Sequence, residues 1–105
     1  MVEQRRYLPR ATLNQPLTFK RKGSDEILEG VGKDISVGGM FIETTTPPSF
    51  NTEIVILTVL PGERAQLSLP ATVRWTKSGG MGVQFGLIGA RETYVITELT
   101  RNAKT

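Results

Sequence analysis

Hydrophobic and polar residues alternate without a break from residue 65 to residue 75, "AQLSLPATVRW": Ala65, Leu67, Leu69, Ala71, Val73 and Trp75 share one face, and Gln66, Ser68, Pro70, Thr72 and Arg74 the other. A period of two is that of a strand with one face buried. Pro70 has no backbone donor, which predicts a bulge or an edge near the middle of this strand. Just upstream, "EIVILTVL" (53–60) is short, rich in β-branched residues and closed by "PGE", which suits a more fully buried strand that ends in a turn. The two together predict a hairpin. "PLTFKR" (16–21), "ILEGVGKDI" (27–35), "GMFIETT" (39–45) and "MGVQF" (81–85) supply four further strands, separated by the turn-type stretches "KGSDE", "SVG", "TPPSFN" and "KSGG".

Only the tail has a helical pattern. Ala90, Tyr94, Val95 and Leu99 recur at spacings of four and five with Ile96 beside them, and the chain carries no Gly or Pro from residue 90 onward. Six strands and one terminal helix predict an all-β domain, a six-stranded antiparallel β-barrel with a C-terminal helix, because closure removes the exposed edges on which sheets aggregate. At 105 residues the chain is one such unit. It divides into a flexible arginine-bearing arm, residues 1–10, and a barrel with its helix, residues 11–105.

Charge changes this picture by its placement. Residues 1–33 carry seven Arg and Lys against four Asp and Glu, so the whole net charge of +3 falls in the first third and the remainder is balanced. Such asymmetry fits an anionic partner at that end, or a solvated basic arm. The chain has no cysteine and no histidine, which removes disulfides, thiol and imidazole catalysis and ordinary zinc sites. Asp25 and Glu26 sit in a turn beside a basic run, where they read as solvated charge. "GVGKD" (30–34) fails as a phosphate loop, because Ile27 stands where the first glycine belongs and Asp34 where Ser or Thr belongs. No enzyme activity and no cofactor are expected. The first residues lack the apolar stretch of a secretory signal and the longest apolar run is far short of a membrane span, so the expected location is the cytoplasm, without membrane insertion.

Two clusters of unusual chemistry remain. "RRYLPR" (5–10) sets Arg6 and Arg10 four residues apart with Arg5 beside them. A guanidinium fork makes paired hydrogen bonds to phosphate or to the O6 and N7 edge of guanine. Asp34-Ile35-Ser36-Val37-Gly38-Gly39 is the second. Its carboxylate can accept from guanine N1 and N2 or orient an arginine, its serine can bond phosphate, and glycine admits a ligand close to the backbone. On local chemistry alone the same segment reads first as a hairpin turn, with Asp and Ser bonding nearby amides.

Arg6-x-x-x-Arg10 followed by Asp34-x-Ser36-x-x-Gly39 resembles the paired signature of the PilZ domain, the bacterial receptor for cyclic di-GMP. "GGMFIETTTPP", "NTEIVILTVL", "ATVRW" and "GGMGVQF" each resemble a PilZ segment in the expected order, so the likeness spans residues 5–99. It implies a six-stranded barrel with a helical tail that wraps its arginine-bearing segment over the face carrying the second motif. By that resemblance Arg6 and Arg10 grip phosphate and guanine edges, Asp34 and Ser36 complete the contacts, and Gly38 and Gly39 permit close approach. Arg5 extends the positive cluster. Trp75 lies on the apolar face of its strand, where core packing is the first reading and stacking on a guanine the second.

The resemblance implies a non-enzymatic sensor that binds cyclic di-GMP, orders its arm and presents a new surface to an effector protein in motility, pilus or exopolysaccharide control. Two rivals stand beside it. A PilZ-fold interaction module indifferent to the nucleotide is disfavoured by the intact motifs. A barrel for single-stranded nucleic acid would need several exposed aromatics on top of those its core consumes, so DNA and RNA are not expected partners.

Overall fold

The structure, a computed structural model, describes residues 9–102. The elements run β1 (Ala11–Arg21), β2 (Leu28–Ser36), β3 (Gly39–Glu43), β4 (Glu53–Thr58), β5 (Leu67–Lys77), β6 (Gly80–Phe85) and α1 (Ala90–Asn102). The strands close a barrel in the order β1-β2-β3-β6-β5-β4, every pairing antiparallel. The expected barrel, its β4–β5 hairpin and its terminal helix are all present.

The barrel interior is filled by the inward residue of each strand: Phe19, Ile35, Ile42, Ile54, Ile56, Leu69, Val73 and Met81 are all at 0 or 1% exposure. Each such side chain contributes about 1.5–3 kcal/mol relative to exposure, which is how a chain of this size folds without staples. In α1, Val95 and Ile96 are buried, and the helix packs against β2. Glu92 in its first turn and Arg101 in its last complement the helix dipole.

Three local expectations differ from the fold. β1 begins at Ala11, because "ATLN" already alternates buried Ala11 and Leu13 with exposed Thr12 and Asn14. β4 is not buried on both faces: it alternates, with Ile54 and Ile56 inward and Val55 and Leu57 half-buried on the outside, as a barrel wall requires. In α1 the buried positions are Val95, Ile96 and Thr100, whereas Ala90 and Tyr94 are exposed. At Pro70 the local edge is found: its carbonyl accepts from Gly86, just past the end of β6, so its missing N–H faces a place where no ladder partner is needed. The bulge of β5 lies further on, between Val73 and Trp75.

Candidate functional site

Two bulges build the site. In β2 an extra residue, Lys33, separates Gly32, which pairs with Ile42, from Asp34, which pairs with Phe41. In β5 an extra residue, Arg74, separates Val73, opposite Val83, from Trp75, opposite Gly82. An inserted residue shifts the side-chain phase of everything after it. Trp75 is therefore delivered to the outer face, 48% exposed, and the expectation that it packs in the core is overturned. Register then places Asp34, Phe41, Gly82 and Trp75 in one row across β2, β3, β6 and β5.

Arg10, immediately before β1, reaches this row. Its Nε and Nη2 donate to the same oxygen of Asp34, Oδ1, at 3.1 and 2.6 Å, and its Nη1 donates to Ser36 Oγ at 3.3 Å. Among the described residues Asp34 Oδ2 accepts no hydrogen bond. The pair is partly exposed, 44% and 38% for the two side chains, so it contributes no more than about 1 kcal/mol and is cheap to rearrange.

Ser36 is buried at 1% exposure. Its Oγ also accepts from the Gly38 amide at 3.1 Å, so the turn reading of this segment holds for the serine while Asp34 faces the arginine. Ser36→Ala is expected to remove both bonds, leave a part-buried amide with one partner fewer and cost about 1–2 kcal/mol in a urea melt. An unchanged midpoint would show that the hydroxyl supports neither the turn nor Arg10. Gly39 owes its lack of a side chain to the sheet: a Cβ there would stand closer than 3.0 Å to the Val83 carbonyl oxygen. The close approach at Gly39 is made by β6, a requirement the motif alone did not reveal.

Arg10, Asp34, Gly38, Gly39 and Trp75 thus line a single groove of about 360 Å³ on the outer face, with Ser36 beneath it. Arg5 and Arg6 lie outside the described residues. The structure adds Phe41, Arg74, Lys77 and Gly82 to the lining. Phe41 was legible as the outward residue between inward Met40 and Ile42, and Arg74 and Lys77 as the basic residues flanking the tryptophan. Arg74 donates to Gln84 Oε1 at 2.8 Å and to Asn51 Oδ1 at 3.0 Å. Among the described residues the charged lining is Arg10, Arg74 and Lys77 against Asp34, a net of +2.

A larger groove of about 910 Å³, lined mostly by residues of β1 to β4, has Glu29 and Glu43 as its only charged residues among the described residues and holds none of the expected site residues that are described. Its carboxylates repel an anionic ligand. The smaller, cationic groove is the candidate site.

The chain is thus a small closed barrel with an aromatic and cationic groove on its outer wall, and comparison with known proteins gives its family. The PilZ domain model matches residues 4–101, and the chain belongs to that family. Among solved structures it resembles the PilZ domain of CeSA from a cellulose-synthesizing bacterium, at 25% identity over 89% of this chain and 95% of that one, with a TM-score of 0.71. The fold also matches the Bacillus subtilis inhibitor of motility MotI/DgrA, at 20% identity over 94% of this chain and 50% of that one, with a TM-score of 0.77. MrkH of K. pneumonia aligns at 19% identity over 90% of this chain and 47% of that one, with a TM-score of 0.65. The chain therefore spans about half the length of these last two proteins. No curated protein matches it significantly. Among the described residues no helix is long and apolar enough to cross a membrane.

Proposed function

We propose that this chain is a cyclic di-GMP sensor. The observation that carries the reading is the direct contact between the two motifs: Arg10 of the first is bonded to Asp34 and Ser36 of the second across 24 and 26 residues of chain. Membership of a family of cyclic di-GMP receptors supports it, and so does the charge of the groove. Two phosphodiesters bring a charge of −2 to a groove whose described lining carries +2. Arg10, with Arg5 and Arg6 from the arm, takes phosphate and guanine edges, Asp34 offers its Oδ2 to guanine N–H donors, and Trp75 stacks on a base.

Closing the arm, residues 1–10, over residues 11–105 is the conformational change that converts ligand concentration into a new surface. That surface acts on an effector protein in the cytoplasm, in motility, pilus or exopolysaccharide control.

The test is calorimetric titration of the purified chain with cyclic di-GMP, beside GTP and a short single-stranded oligonucleotide at two salt concentrations. Selective saturation by the cyclic dinucleotide is expected. Binding to any oligonucleotide with steep salt dependence would replace the reading with nucleic-acid binding, and no heat from folded protein would replace it with an interaction module that ignores the nucleotide.

A further inference from the structure

Trp75 is the one tryptophan of the chain, and its ring is held in place by neighbours outside either motif. Phe41 stacks on it, ring centroids 5.4 Å apart and planes inclined by 17°. Two glycines of β6 make room for the rings. A Cβ at Gly82 would collide with the indole, and a Cβ at Gly80 with the Phe41 ring, each closer than 3.0 Å. Lys77 completes the group, its Nζ 5.1 Å from the Phe41 centroid and 6.0 Å from that of Trp75.

We propose that Phe41 is a positioning residue of the ligand site, one that sets the orientation of both Trp75 and Lys77. The inference rests on the sensor reading above, since it concerns how that site presents its stacking ring and one of the three cations that line it among the described residues. An isolated indole on an outer strand face samples several rotamers, and each rotamer lost on binding subtracts from affinity. Phe41 stacks against the indole, and a purine would stack on the indole where it faces the groove. The Phe41 π-face also attracts the Lys77 ammonium, holding that charge at the groove, where it meets phosphate. The glycine pair explains why the two rings fit: with side chains at 80 and 82 neither could occupy its present place above β6.

The experiment compares the unaltered protein with Phe41→Leu, Phe41→Tyr and Lys77→Gln, using cyclic di-GMP as the titrant and Trp75 emission as a second readout. Phe41→Leu keeps apolar volume but loses the π-face, and about a tenfold loss of affinity is expected from the stacking and cation–π terms together. Phe41→Tyr keeps the ring and is expected to stay within twofold. Lys77→Gln is expected to weaken binding in the unaltered background and to add little in the Phe41→Leu background, because the two act as a unit. In free Phe41→Leu, Trp75 emission is expected to shift and acrylamide quenching to rise, with the thermal midpoint within a few degrees.

Failure of the unaltered protein to bind overturns the sensor reading and this role with it. Binding by the unaltered protein, with Phe41→Leu equal to it in affinity and quenching, overturns the role alone. A loss in Phe41→Leu that Phe41→Tyr does not rescue also overturns it, because the ring face is then not what matters.

Discussion

Replacing Arg10 by alanine is expected to lower the affinity for cyclic di-GMP by about 100-fold or more while moving the thermal midpoint by only a few degrees. Among the described residues the side chain is one of three cations lining the groove, and it links the two motifs. A hydrogen bond to a charged group contributes about 1.5–3 kcal/mol. Losing two such contacts to a phosphate or guanine edge gives the stated factor, at about 1.4 kcal/mol per tenfold. Stability is little affected, because a partly exposed ion pair contributes about 0.2–1 kcal/mol.

Arg10→Lys separates charge from geometry. Lysine keeps the charge but lacks the planar fork, so an intermediate affinity is expected. Arg21→Ala is the control, since that arginine pairs with Glu26 beside the β1–β2 turn and is not part of the groove. Titration calorimetry of the three variants decides the matter, and an Arg10→Ala affinity within threefold of the unaltered protein would remove Arg10 from the site.

Gly39→Ala is expected to act through the fold. The atoms nearest to a Cβ at this position are the Val83 carbonyl oxygen, its carbon at 3.2 Å and Gln84 Cα at 3.3 Å. All are backbone, so no side-chain rotation relieves the clash and β3 must part from β6 where Gly39 pairs with Gln84. A loss of about 3 kcal/mol is expected, the upper end of what overpacking costs. In a domain of this size that lowers the midpoint by roughly 15 °C. Gly86→Ala is the matched comparison: its nearest atoms belong to Pro70 at 3.8 Å or more, ordinary contact distances, so a change below about 1 kcal/mol is expected. Similar midpoints for the two variants in thermal and urea melts would show that β3 and β6 do not need this close approach.

The last glycine of Asp34-x-Ser36-x-x-Gly39 is demanded by sheet geometry before any ligand arrives, and Ser36 is spent partly on the Gly38 amide. Arg10 and Asp34 have their functional groups in the groove, where a ligand reaches them. A variant at Gly39 that fails to bind therefore reports on folding as much as on recognition, and the Arg10 variants are the cleaner test.

Much of the barrel was legible because a barrel wall is a period-two object. Leu67, Leu69, Ala71 and Val73 alternate inward as their spacing indicates, and glycine-containing turns such as "KSGG" supply positive φ where a hairpin requires it, as at Gly79 with φ 89°. The pairing of two motifs 24 residues apart was legible only through resemblance, since nothing local to "RRYLPR" specifies which strand it meets. The additional lining residues Phe41 and Lys77 had a weaker signal, an outward aromatic on β3 and a lysine two places beyond the tryptophan.

The sequence by itself determined the elements, their order, the inward set of residues and the concentration of positive charge at one end, because these follow from alternation, turn chemistry and composition. Only the tertiary structure decided which way Trp75 and Asp34 face. Strict alternation carried Trp75 into the core. A strand's phase, however, is defined against its neighbour, and Arg74 and Lys33 are each an extra residue that the facing strand leaves unmatched. A bulge is a property of two paired chains and of the twist that closure demands, so a single strand's pattern does not contain it. Two such slips, on strands β2 and β5, bring a carboxylate and an indole to the same row of the outer wall.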